Sequence, residues 1–203
     1  MKNKKIICII AVLILITITI YFFSKNNYKT TEFGNTNIKS AEDIKEYILN
    51  LESYEAQISI EINSNKNQNQ YKIKQIYKAP NLVRSEVLEP QSIRGVVTTY
   101  DGNNLKIENT KLNLSKIYEN YPYVTENHLW LSDFINRYKN NPNATFEEKE
   151  NQIIMKTNIQ DNVLQTLYID TKTKKPIKLT LEDMNQKMLV YILYNEIKIN
   201  SSR

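Results

Sequence analysis

Residues 54–63 read YEAQISIEIN, and this alternation decides the architecture. Tyr54, Ala56, Ile58, Ile60 and Ile62 are interleaved with Glu55, Gln57, Ser59, Glu61 and Asn63. A period of two sends one set of side chains to each face of an extended chain, so this is a strand with one apolar face. The polar stretch that follows, NSNKNQN at 63–69, reads as a hairpin loop in a chain rich in Asn, Ile and Lys, not as a binding site. Further strands are predicted at 70–77, 82–88, 93–100 and 105–109, with a weaker one at 112–118. Between them lie Pro80-Asn81, Glu89-Pro90 and Asp101-Gly102-Asn103, turn chemistry in the rhythm of an antiparallel meander.

Upstream of this stretch, Ser40-Ala41-Glu42-Asp43 has the pattern of a capping box. Ile44, Tyr47, Ile48 and Leu51 then recur at helical spacing. Downstream, Leu131, Phe134, Ile135 and Tyr138 predict a second helix between Asn127 and Lys139, stopped by Asn140-Asn141-Pro142. Strand patterns resume at 146–149, 152–159, 163–170, 177–181 and 187–199. Helix, about six strands, helix, about five strands, without αβ alternation, predicts a mainly β (α+β) fold. Its expected form is one large curved antiparallel sheet, an open half-barrel, with two or three helices covering it. The concave face must be filled by helices, a ligand or another protein, and function is to be sought there.

Composition removes most catalytic chemistry. The chain has 203 residues with three Gly, one Cys and one His. Gly34, Gly95 and Gly102 are too far apart for a phosphate-cradling loop. Cys8 and His128 cannot assemble a zinc site, and a single Cys forms no internal disulfide. No cofactor and no metal are expected. The formal charge of +5 comes largely from Lys2, Lys4, Lys5 and Lys25; beyond them 23 basic residues face 22 acidic ones. A basic stripe for nucleic acid is therefore missing from the globular part, and no nucleic-acid partner is expected.

Ile6 to Phe23 form an uncharged run of eighteen residues behind three lysines. At 1.5 Å per residue the run reaches about 27 Å, enough to cross a hydrocarbon core. Ile6, Leu13 and Leu15 would lie in the apolar span, with Tyr21, Phe22 and Phe23 at the far interface. A cleaved signal peptide would need small residues after the run, but SKNNYKTT follows, so an uncleaved anchor is favoured. Cys8 precedes most of the run and is read as an apolar anchor residue, not a lipidation site. The expected division is an anchor at 1–25, a tether at 26–38 and a domain at 39–200, with the domain on the extracytoplasmic side of the membrane.

Four groups attract a functional reading and have a plainer one. His128, Ser132 and Asp133 could suggest a nucleophilic triad, but helical spacing separates Ser132 from the His and turns Asp133 elsewhere. Glu147, Glu148 and Glu150 read as a solvated edge. Lys72, Lys74 and Lys78 on one strand face suit either an acidic partner or a charged edge strand. Trp130, with Leu129, Leu131 and Phe134, gives the second helix more apolar surface than one face buries, so it is expected to lie over the sheet and to offer an anchor.

The stretch YKAPNLVRSEVLEPQSIRGVVTTYDGNNL at 77–105 has the order Lys-x-Pro-Asn-Leu, Pro, apolar strand, Asp-Gly-x-x-Leu. This resembles the LolA/LolB superfamily of lipoprotein carriers. YIDTKTKKPIKLTLEDMNQ at 168–186 resembles the second half of that fold. Within the superfamily the chain is most similar to the clostridial germination lipoproteins (GerS-like). That likeness implies a partner, a cell-wall N-acetylmuramoyl-L-alanine amidase of the spore cortex, and a place in the forespore intermembrane space. The carriers have a latch Arg before the Pro of Lys-x-Pro, and Ala79 stands there, with Arg84 and Arg94 nearby. The germination lipoproteins have a Cys after the apolar run, which this chain lacks.

Two binding functions remain after these readings. One is a non-catalytic, membrane-tethered protein that binds and activates the amidase. The other is a carrier holding an acyl chain of a lipid or lipoprotein in a continuous apolar cavity. Ile58, Ile60, Ile93 and Val97 of the sheet, with Trp130, Leu131 and Phe134 of the second helix, are the candidate contacts for partner or lipid. A homodimer formed by strand exchange is a further expectation.

Overall fold

Ser40 opens the first helix, α1 (Ala41–Leu49), by a reciprocal cap. Its hydroxyl accepts from the Asp43 N–H at 3.1 Å, and the Asp43 carboxylate accepts from the Ser40 N–H at 3.0 Å. Two otherwise orphaned donors are satisfied at once. The helix buries Ile44, Ile48 and Leu49 and ends at Asn50, whose N–H donates to the Glu46 carbonyl. The computed structural model describes residues 40–64, 68–122, 128–160, 163–183 and 188–201. All lie in one unit, Ile38–Arg203, and the expected anchor at 1–25 and tether at 26–38 lie outside the described residues. Among the described residues no helix is long and apolar enough to cross a membrane.

Among the described residues, eleven strands make one antiparallel sheet. The first meander runs β1 (Leu51–Ser64), β2 (Gln68–Lys78), β3 (Leu82–Glu89), β4 (Val96–Tyr100), β5 (Leu105–Asn109) and β6 (Leu114–Tyr118). Helix α2 (Leu131–Asn140) follows, and the second meander runs β7 (Thr145–Lys149), β8 (Gln152–Gln160), β9 (Val163–Asp170), β10 (Lys175–Asp183) and β11 (Met188–Ser201). The spatial order is β6-β5-β4-β3-β2-β1-β11-β10-β9-β8-β7, so β1 and β11 meet in the middle and β6 and β7 are the edges. The chain between β6 and β7 must return from one edge to the other, and α2 is part of that crossing.

The alternation at 54–63 becomes the register. Ile58 faces Ile73 on β2 and Tyr194 on β11, and Ile60 faces Tyr71 and Ile192. Tyr54, Ala56, Ile58 and Ile60 are buried in the same core as Ile44 and Ile48 of α1 and Leu131, Phe134 and Ile135 of α2. Both helices therefore cover one face. The opposite face carries ion pairs between neighbouring strands, Lys72 to Glu89 at 2.8 Å and Lys74 to Glu55 at 2.6 Å.

Three details differ from the sequence reading. Helix α2 starts at Leu131 instead of Asn127, because Trp130 is extended (φ −101°, ψ 135°) and takes the N-cap position. Strand β4 starts at Val96, because residues 91–95 form a turn that ends at Gly95 with φ +87°. The lysines of β2 are not on an edge strand, since β2 lies between β1 and β3. Two of them are held by cross-strand carboxylates instead of guarding a free edge.

Two aspartates fix tight turns. Asp101 Oδ1 accepts the Asn104 and Asn103 N–H groups at 2.7 and 2.9 Å, and Asp170 Oδ1 accepts the Thr173 N–H and hydroxyl at 2.6 and 2.7 Å. These bonds favour the ionised form and hold both carboxyls below the ordinary range. A folded-state pKa below the unfolded value of about 4 gives stability that is complete above that value and is lost as pH falls through the folded one. The Asp101→Asn, Asp170→Asn double variant should be less stable than the parent at pH 7 and lose less stability on going to pH 3. Urea unfolding at the two pH values measures this, and equal acid losses in both proteins would refute it.

Candidate functional site

Helix α2 is held over the sheet by two buried glutamines from opposite halves. Gln75 Nε2 on β2 donates to the Leu129 carbonyl at 3.2 Å, and Tyr54 donates its hydroxyl to Gln75 Oε1 at 3.2 Å. Gln165 Nε2 on β9 donates to the His128 carbonyl at 3.0 Å. A glutamine amide is long enough to cross from the sheet to the approaching backbone and dry enough there to hold it firmly. Trp130 follows at once, 5% exposed, its ring 6.3 Å from that of Tyr54.

This placement leaves a cleft of about 490 Å³ between α2 and strands β2 to β4. One wall is the ladder Tyr77, Val83, Tyr100, directly opposed on three neighbouring strands. Pro80 and Asn81 of the β2–β3 turn close one end. The facing wall is polar, with Ser132, Asn136 and Asn140 at i, i+4 and i+8 and Asp133 and Arg137 beside them. Arg137 Nε donates to Asp133 Oδ2 at 2.9 Å, and His128 Nδ1 lies 3.4 Å from the same oxygen. Tyr77 packs against Tyr54 with tilted rings whose centroids are 5.7 Å apart, and burial pushes its phenol up.

A second feature lies at the β6 edge. The outer side of β6 pairs with no described strand. Leu112, Leu114 and Ile117 are 64%, 61% and 58% exposed, and Ile93, Ile107 and Tyr118 also meet solvent. All the exposed large apolar side chains among the described residues thus fall between 93 and 118. Ile107, Leu114 and Tyr118 share a shallow hollow of about 250 Å³ with Val96 and Lys116. The turns beneath it are locked together: the Thr110 N–H donates to the Gly95 carbonyl at 2.9 Å, and the Gly95 N–H to the Val87 carbonyl at 2.9 Å.

The candidates from the sequence divide by position. Ile58, Ile60, Leu131 and Phe134 are buried in the core between sheet and helices, and Trp130 is buried with them instead of standing out as an exposed anchor. Val97 is also buried, three residues before cleft-lining Tyr100 on β4 and so of the opposite parity, and it faces away from α2. Ile93 is exposed beside the β6 patch, where Lys111 Nζ reaches the Gln91 carbonyl at 3.4 Å. Ile6, Leu13, Leu15, Tyr21, Phe22 and Phe23 fall outside the described residues. Asp133 does turn toward His128, contrary to the helical-spacing argument, because His128 sits before the helix start and the extended Trp130 swings it back. Glu147 pairs with Lys156 across the β7–β8 ladder, as a solvated edge would. Arg84 pairs with Glu86 on the face away from α2 and cannot close the cleft; Arg137 is the arginine that lines it.

Sequence reasoning missed Asn136, Arg137 and Asn140, although their i, i+1, i+4 spacing was visible as a polar stripe opposite Phe134 and Ile135. It also misses the apolar β6 edge, because the pattern of that short strand is weak.

A family model described as sporulation protein YdcC-like matches residues 3–202. The chain belongs to that family. No curated protein matches the sequence. Among solved structures, an uncharacterised conserved protein from Thermus thermophilus is similar over 81% of this YdcC-like chain and 90% of its own, at 15% identity and a TM-score of 0.51, and shows the fold. A LolA superfamily protein from Nitrosomonas europaea covers 81% and 95% at 11% identity and a TM-score of 0.44. The Clostridioides difficile CwlD amidase in complex with the GerS lipoprotein covers 84% and 96% at 20% identity and a TM-score of 0.43.

The glutamine pair yields a stability test. Gln75→Leu leaves both the Leu129 carbonyl and the Tyr54 hydroxyl without this partner and should cost about 1–3 kcal/mol in urea unfolding. Gln165→Leu should cost less, because Gln165 Oε1 is buried without a partner among the described residues and the substitution removes that orphan too. A larger loss for Gln165→Leu would refute this account of the helix support.

Proposed function

We propose that this YdcC-like protein is a non-catalytic, membrane-tethered, extracytoplasmic binding protein that docks on and activates a cell-wall N-acetylmuramoyl-L-alanine amidase during sporulation. Residues 1–25 would anchor it and 26–38 would tether the domain. The observation that carries the reading is the β6 end of the sheet, where a strand edge unpaired among the described residues and exposed apolar side chains coincide. Exposed apolar side chains on both faces of an edge strand suit a protein partner, which can add a strand and cover them together. Membership of a sporulation family supports the setting.

The carrier reading requires a continuous apolar cavity. Trp130, Leu131 and Phe134 fill the sheet's covered face, and the remaining cleft presents Asp133, Arg137 and three asparagines. An acyl chain there would strip these groups of water without replacing their hydrogen bonds. The lining favours the partner reading.

Leu114→Lys together with Ile117→Lys changes two exposed side chains, so folding stability should move by no more than about 0.5 kcal/mol each. Adding the full-length chain to the purified sporulation amidase of the same cell should raise hydrolysis of cortex peptidoglycan, and the double variant should lose at least about tenfold of that effect. Unchanged hydrolysis with the parent chain would overturn the reading. Phospholipid copurifying in stoichiometric amount with the parent would favour the carrier.

A further inference from the structure

We propose that the cleft between α2 and strands β2 to β4 binds a short segment of neutral, N-acetylated amino-sugar chain. The proposal goes beyond the docking function and stands whether or not the β6 edge binds a protein.

Its two walls have the two chemistries that a pyranose presents. Tyr77 and Tyr100 lie on strands separated by β3, on the same face, which places them about 10 Å apart along the sheet. Tyr77 offers its half-buried ring to the C–H face of a sugar unit, and Tyr100, 8% exposed, forms the floor beside it. Opposite them, Asn136 has a side-chain amide with no partner among the described residues, and Asn140 uses only its Nδ2, on the Asn136 carbonyl at 2.8 Å. The Ser132 hydroxyl is likewise unpaired and lines the cleft. Carboxamides and hydroxyls donate and accept at one place, as sugar hydroxyls and N-acetyl groups require.

Charge excludes the main competitors. Arg137 is compensated by Asp133 through its Nε, so the cleft offers no net positive charge to a phosphate, and the Asp133 carboxylate repels one. The two terminal nitrogens of Arg137 have no partner among the described residues and remain as neutralised, directional donors. A volume of about 490 Å³ lies within the ~300–1,000 Å³ of small-molecule sites.

The test uses the full-length chain in a zwitterionic detergent without sugar head groups. Chitotetraose is the probe in isothermal titration calorimetry and palmitate the counter-probe. The expected result is saturable one-site binding of chitotetraose that weakens at least about tenfold in Asn136→Ala, with an unchanged circular dichroism spectrum. Asn136 is exposed on the helix, so this variant folds irrespective of the site. Tyr77→Leu, on the facing wall, should weaken binding as well. The proposal is overturned if the parent shows no heat of binding at millimolar chitotetraose, if Asn136→Ala and Tyr77→Leu bind as the parent does, or if palmitate displaces the sugar.

Discussion

The pairing of β1 with β11 is the constraint from which the rest of the structure follows. The two strands are 14 residues each, and their register runs from Leu51 opposite Ser201 to Ser64 opposite Met188, interrupted between Leu51 and Ser53 and between Gln57 and Ile58. Each begins or ends one meander, so joining them fuses two hairpin series into one sheet. The first meander must then run out to one edge and the second start from the other. Only a crossing over the sheet connects them, and a crossing element that covers an apolar face has to bury a stripe of its own. Leu131, Phe134 and Ile135 supply that stripe. The cleft exists because α2 has a second, polar stripe and because its near end is lifted onto Gln75 and Gln165.

Much of this was written in local patterns. The strand at 54–63, the Ser40 cap and the turns at Asp101 and Asp170 each depend on residues a few positions apart, so a single sequence reveals them. Two strands, 105–109 and 163–170, have the bounds that alternation predicts. The 91–95 turn was hidden because Ile93, Val96 and Val97 mimic a longer strand, while the left-handed backbone at Gly95 breaks it. An alanine there would place its Cβ 2.7 Å from Thr110 Oγ1. That contact joins residues fifteen apart and has no signature in either segment.

The site was less legible for the same reason. Apolarity is what marks the sequence candidates, and apolarity in a small domain leads mostly to the core: Trp130, Leu131 and Phe134 are all at 5% exposure or below. What is left facing solvent is the part that finds no covering element. No described element covers strand β6, because α1 and α2 pack on the centre and on the β8 side, a fact of long-range topology. The likeness of 77–105 to lipoprotein carriers was a likeness of fold, and five residues of that stretch, Tyr77, Pro80, Asn81, Val83 and Tyr100, line the cleft. It did not anticipate the asparagines and arginine of the facing helix.

The two glutamines have a mechanical meaning. Gln75 belongs to the half-sheet that ends in β6, and Gln165 to the half that ends in β7, yet both grip adjacent carbonyls at the head of α2. The helix is thereby a tie-rod across the seam between β1 and β11. Rotating one half about that seam strains both bonds together and shifts the polar wall against the tyrosines, so torsion applied at the sheet margin is converted into a change in the aperture above it.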